Sequence, residues 1–268
     1  SSRRRQNRMK DSFGTAAVPM VRRAPRPDPA WRGLYRIGGI SALLYVFLGL
    51  IVPAIMAALK SYDFYMDAAA LLAFVAANPV WFTAMQTLVL GSSILAILTF
   101  AALFAALKHL DRSLAAAGAL VGGSLQLLFM AYYPVLLGLV HLAYQYPAAD
   151  QGRRAVLAAA AEALLAQNNA FNPLYESAFA AGILLVSIVM LKGVFPRWVA
   201  YVGIANLPAC LVAFTLWPVI GIGYFWWWVL FLVWFIALGV RLIALGRGTG
   251  PRTGSVDSSL STTDNTAK

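Results

Sequence analysis

Residues 68–107 read AAALLAFVAANPVWFTAMQTLVLGSSILAILTFAALFAAL, forty positions without a charge. A helix needs roughly 20 apolar residues to cross a bilayer, so this run is too long for one straight span. Asn78-Pro79 divides it. Proline disfavours helix at the residue before it and suits the first position of a new helix. We therefore read residues 67–77 as a short helix on the membrane surface and residues 80–107 as a full span.

The same reading extends in both directions. Spans are expected at residues 37–59, 80–107, 114–140, 173–191, 198–217 and 224–245, with Pro218, Gly221 and Gly223 turning the last hairpin. Residues 153–167 place Arg154, Ala158 and Glu162 on one helical face and Leu157, Ala161 and Leu164 on another, which fits an interfacial helix. The expected fold is therefore all-α and polytopic, with six transmembrane helices and two extracytoplasmic surface helices. Composition agrees: 61% of residues are hydrophobic and 12% charged, whereas soluble domains carry about 25% charge. Residues 1–30 are Arg- and Pro-rich and read as a disordered basic cytoplasmic arm, and residues 247–268 as a disordered cytoplasmic tail. The arginines resemble a twin-arginine signal, but the first apolar run begins too far downstream, so the first helix is read as retained. A start at Ser1 rather than Met points to processing or to a preceding segment.

Charge orients the chain. Of 21 Lys and Arg, only Lys60, Arg153 and Arg154 fall on one side of a six-span topology. The positive-inside rule then puts both termini in the cytoplasm. Trp31 and Trp198 mark the inner boundary, and Trp81, Trp217 and Trp226-Trp227-Trp228 the outer one. The basic arm suits anionic lipid headgroups, with a membrane-protein partner as the alternative; nucleic acid is not expected, because the basic residues flank the apolar runs.

An internal repeat is also suggested. Asn78-Pro79-Val80-Trp81 parallels Asn172-Pro173-Leu174-Tyr175, and the spans before them share Gly38-Gly39 with Pro53 and Gly122-Gly123 with Pro134. Hairpins 37–107 and 114–191 would then share one design, running in the same direction.

Chemistry-bearing residues are few. One cysteine, Cys210, excludes an internal disulfide and a multi-Cys metal site. His109 and His141 fall at opposite ends of the bilayer, so no shared metal or haem is expected and no cofactor is assigned. Gly122-Gly123-Ser124 has the look of a nucleophile turn, yet Ser124 and His141 stand roughly 25 Å apart on one helix. A helix-packing face of Gly118 and Gly122 is the stronger reading. Gln86, Gln126 and Asn206 are expected to make interhelical hydrogen bonds. Glu176 has two readings. As an acid in the first turn of the fourth span, behind Asn172 and Pro173, it favours the helix dipole. As an intramembrane acid it marks a site. With Tyr132, Tyr133, His141 and Tyr175 it forms the candidate ligand-binding pocket, in the outer half of the membrane beneath the two surface helices.

At Tyr35-Arg36-Ile37-Gly38-Gly39, and at Phe195-Pro196-Arg197-Trp198, the chain resembles bacterial multi-pass inner-membrane proteins classified only as a domain of unknown function. Those proteins similarly open with an Arg-Ile-small-Gly element and carry Pro-Arg-Trp before the penultimate helix. The likeness covers residues 31–246, and the long basic arm departs from it. It implies a bacterial inner-membrane protein and transfers no catalytic residue. The leading expectation is a non-enzymatic protein that binds a lipid or apolar small molecule or serves a larger membrane assembly. A small-molecule transporter is the alternative, followed by an intramembrane enzyme using Glu176 and His141.

Overall fold

The computed structural model describes residues 28–58, 67–220 and 226–248, and among these every regular element is helical. The helices are α1 (Arg32–Ala58), α2 (Ala68–Ala77), α3 (Pro79–Leu107), α4 (Arg112–Tyr132), α5 (Gly138–Gln145), α6 (Gln151–Met190), α7 (Arg197–Ile220) and α8 (Trp226–Gly246). Six stretches are long and apolar enough to cross a membrane. The arm and tail expected at residues 1–30 and 247–268 lie outside the described residues, except for the arm's last three positions, 28–30, and the tail's first two. Pro29–Trp31 form a 3-10 turn capped by Asp28.

The six spanning helices close a ring in chain order. α1 packs on α3, α3 on α4, α4 on α6, α6 on α7 and α7 on α8, and α8 returns to α1. Both ends of the described chain meet on one face, where Arg36 Nε donates to the Gly246 carbonyl at 3.0 Å. We call this the terminal face and its opposite the distal face. Close crossings hold the ring. Were Gly39 to carry a Cβ, that atom would lie 2.7 Å from the Gly239 carbonyl oxygen, so only hydrogens fit where α1 crosses α8. Gly118 and Gly122 face Val186 and Gly182 in the same manner, so the small-residue face joins α4 to α6 as expected. Ser124 is exposed and donates to the Leu120 carbonyl of its own helix.

The motif at residues 35–39 is explained by this packing. The buried Tyr35 hydroxyl donates to the Ala105 carbonyl, the Gly38 carbonyl accepts from Thr99 Oγ1, and Gly39 meets α8. Together these residues wedge α1 between α3 and α8.

Three expectations are corrected. First, the third span is not one α-helix over 114–140. It tightens into a 3-10 segment at Tyr133–Leu137, where Pro134 cannot donate to the α ladder, and resumes as α5. Since Arg112–Tyr132 alone covers about 30 Å, this break lies at the distal membrane boundary. Second, the interfacial helix at 153–167 and the span at 173–191 are one helix. Asp150 caps its start by accepting from the Arg153 N–H at 2.8 Å, and Pro173 lies inside it. An Ala-rich run carries strong helix propensity, and the ladder bond missing at Pro173 frees the carbonyl of Asn169, an exposed residue. At 40 residues the helix is about 60 Å long, twice the hydrocarbon core, so its first half projects beyond the distal face. Third, Trp227 is a core residue at 1% exposure rather than an interfacial anchor, while Trp31, Trp81, Trp198 and Trp226 are exposed.

The projecting half of α6 builds a second core. Leu157, Ala161 and Leu165 pack with Leu71, Leu72 and Val75 of α2, with Leu139 and Ala143 of α5, and with Phe82 and Leu136. These elements cap the distal mouth of the ring. The two Asn-Pro pairs, parallel in sequence, act differently. Asn78 ends α2, its Nδ2 donating to the Phe74 carbonyl, and Pro79 opens α3; Asn172-Pro173 continues a helix.

Candidate functional site

Glu176 is not in a first turn. Its helix begins at Gln151, so neither an Asn172 cap nor the helix dipole accounts for a carboxylate here. From Met190 at the terminal end of α6, Glu176 lies about 21 Å up the axis, within the hydrocarbon thickness. It faces inward, within electrostatic reach of Tyr45 on α1 and Cys210 on α7. Cys210 is fully buried and its thiol meets the Ser177 hydroxyl. Glu176 and Tyr45 are both half-buried. Among the described residues the only ion pair is Lys192–Asp111 at 2.7 Å on the terminal face, so Glu176 has no cationic partner there.

An aromatic column lines the ring beside this acid. Phe171, Tyr175 and Phe179 recur at helical spacing on α6, with ring centroids 6.0 Å apart at each step. Tyr132 stacks on Phe171 at 4.0 Å, and Phe129 sits 4.5 Å from Tyr175. Below, Phe179 meets Phe231 and Phe235 of α8, and Tyr45 stacks on Phe235 at 4.9 Å. Offset aromatic pairs of this kind each add about 0.5–1.5 kcal/mol beyond burial, so the column also stiffens the ring.

The candidate pocket is thus partly assembled. Tyr132 and Tyr175 share the column through Phe171, and Tyr175 also receives a hydrogen bond from Gln126 Nε2 at 2.6 Å, an interhelical bond of the expected kind. The side chain of Tyr133 lies outside the described residues, although its backbone opens the 3-10 segment. His141 is not brought in. It is exposed on α5, where its Nε2 pairs with Gln145 Nε2 at 3.0 Å, and Gln145 in turn accepts from Arg153. Asn206 does not bond across helices either; its Nδ2 donates to the Val202 carbonyl one turn back. The Tyr132 hydroxyl and the Asn168 Oδ1 are buried without partners between the cap and the acid.

Tyr45 and Cys210 were not readable as site residues. Each is one polar-tipped residue in an apolar span, and only the closed ring brings α1 and α7 to face Glu176. No group of three or more His, Cys, Asp or Glu able to hold a metal occurs among the described residues. Compared with known proteins, the chain matches no family model, no curated protein and no solved structure. The resemblance at residues 35–39 and 195–198 therefore rests on those residues alone.

Proposed function

We propose that this chain is an integral membrane protein that binds a lipid or an apolar small molecule inside its six-helix ring, with Glu176 as the polar anchor. One observation carries the reading: an acid at membrane depth on the inward face of α6, with no helix terminus and, among the described residues, no cation to account for it. Intramembrane acids are costly to keep and are functional by default. The aromatic column makes the surroundings of this acid apolar, the setting in which a few polar groups fix a ligand's orientation.

The proposal includes a bacterial inner-membrane setting with both termini cytoplasmic, supported by the placement of Arg153 and Arg154 on the distal face and by the basic residues gathered at the terminal one. On this view the basic arm holds anionic headgroups. Transport is the second reading, and the interrupted third span favours it, since carriers build sites from broken helices. The break lies at the distal boundary rather than at the midplane, which places binding ahead of transport. The exposed position of His141 likewise puts acid–base chemistry with Glu176 last.

The test is extraction and mass spectrometry of molecules retained by the purified full chain. Wild type is expected to hold a discrete apolar species that Glu176→Gln loses, while Glu162→Gln, an exposed acid on the projecting half of α6, keeps it. Identical extracts from wild type and Glu176→Gln would overturn the reading.

A further inference from the structure

We infer that α7 is a gate: it bends at Pro208 and swings its distal half outward, giving an apolar molecule a lateral way into the ring from the bilayer. The inference rests on the binding reading above and adds the route to it. Asn206, Cys210 and Ala213 of α7 and Trp227 and Trp234 of α8 are buried, so the ring is shut in the structure described and a guest enters only when a helix moves.

The first argument is the helix itself. Pro208 is the twelfth of the 24 residues of α7, and among the described spans α7 alone has a proline at its centre. Pro208 has no N–H to bond the Ile204 carbonyl, so the ladder is open at mid-span. Gly203 and Asn206, both poor helix formers, weaken the turn before it. The Asn206 side chain spends its Nδ2 donor on the Val202 carbonyl of its own helix. Sharp helix bends form at such points.

The second argument is what holds this segment. Three other joints of the ring carry hydrogen bonds: Thr99 to the Gly38 carbonyl, Gln126 to Tyr175, and Arg36 to the Gly246 carbonyl. Around the middle of α7, by contrast, three polar atoms are buried without a partner: Asn206 Oδ1, Ser187 Oγ on α6 and Trp234 Nε1 on α8. Ser187 Oγ and Trp234 Nε1 close on the same side of Gly203, where a Cβ would lie 2.5 Å from the indole nitrogen and nearer still to the hydroxyl. The two atoms are thus within about 5 Å of each other, a short shift from a hydrogen bond. Buried polar groups left unbonded are costly, and each needs a reason. The bend supplies one: as the turn carrying Gly203 draws back, the indole N–H reaches the Ser187 hydroxyl. Toward the distal face α7 meets α8 through a ring contact, Phe214 with Trp227 at 6.4 Å, and the Trp227 Nε1 is likewise unpartnered. The straight helix has the better packing and the bent one the added bond, which gives α7 two positions that a guest can shift between.

Double electron–electron resonance on the full chain in nanodiscs, in a Cys210→Ser background, tests this. The order of the ring sets α3 opposite α7, so spin labels at the exposed positions Leu88→Cys and Leu216→Cys span it. Leu216 lies about 12 Å beyond Pro208, so a bend of about 20° moves it by roughly 4 Å. The labelled background is expected to show two populations separated by about that distance. Labels at Phe47→Cys and Leu174→Cys, which cross the ring from α1 to α6, should show one. Adding Pro208→Ala leaves the shorter α3–α7 distance alone, and Ser187→Ala and Trp234→Phe each reduce the longer one. One population for the α3–α7 pair, or two that Pro208→Ala leaves unchanged, would overturn the gate. Because the two populations are read before any change at the hinge, a poorly folding hinge variant does not shield the inference. A rigid α7 in a chain that retains its apolar species sinks the gate and leaves binding standing. A chain that retains no such species loses the binding reading, and with it the role of the gate, whatever α7 does.

Discussion

A carboxylate in the first turn of a helix needs no ligand to explain it, and Asn172-Pro173 makes that reading of Glu176 natural. What removes it lies more than twenty residues upstream, where the Asp150 carboxylate caps the Arg153 N–H and an Ala-rich run continues through Pro173. The other acids of the described chain show the contrast. Asp111 caps the Leu114 N–H and binds Lys192, tying the α3–α4 loop to the α6–α7 loop. Those bonds, Lys192 first and the Leu114 N–H next, hold its carboxyl below the usual carboxylate range. A lowered folded-state value means that the contribution is present above the unfolded value, about pH 4, and is lost as pH falls through the lowered one. Asp111→Asn should therefore lower the melting temperature slightly at neutral pH, because the pair is exposed. The gap to wild type should close as the solution is acidified through and below that range. A gap that persists unchanged into strong acid would show that Asp111 acts through something other than its charge.

At the scale of elements, α6 decides most of the architecture. Its polar and apolar faces were legible: Leu157 and Ala161 do face a core, and Glu162 is exposed. Its continuity was not, because proline rules describe local cost and not what surrounds the helix. The missing bond at Pro173 falls where Asn169 is exposed, which makes it cheap. At Asn78-Pro79 the same dipeptide ends a helix, since the Asn78 side chain and N–H both close onto Phe74. Spin labels placed at Glu162→Cys and Ile188→Cys in a Cys210→Ser background test the difference. A continuous helix puts these positions about 39 Å apart along the axis. A surface helix folded across the membrane plane would bring them to about 30 Å or less and would contradict a single α6.

For the whole molecule, hydropathy and loop charge delivered six spans and their antiparallel order, because both depend only on composition along the chain. The ring did not follow from either. Its closure depends on Gly39 against Gly239 and on Gly122 against Gly182, contacts between residues whose smallness is visible in sequence but whose partners are not. Closure is also what turns Tyr45, Cys210 and Glu176 from residues scattered over three spans into one environment. Of the candidate pocket, the Tyr132–Tyr175–Glu176 portion was legible as polar-tipped residues at one depth. His141 shares the sequence neighbourhood but is exposed on α5, which follows the 3-10 segment and is not a continuation of α4. The cap over the distal mouth is made by α2, α5 and the first half of α6.

The central claim is that Glu176 is an acid inside the ring, in apolar surroundings away from water, and carbodiimide chemistry reports on it directly. Dicyclohexylcarbodiimide enters apolar spaces and converts a carboxyl group there to an N-acylurea, whereas a charged, water-soluble carbodiimide is confined to aqueous surfaces. Peptide mapping of the full chain in nanodiscs should find Glu176 modified by the apolar reagent and spared by the charged one, with Glu162 showing the reverse. Glu176 left unmodified by the apolar reagent, or modified equally by both, would contradict the account.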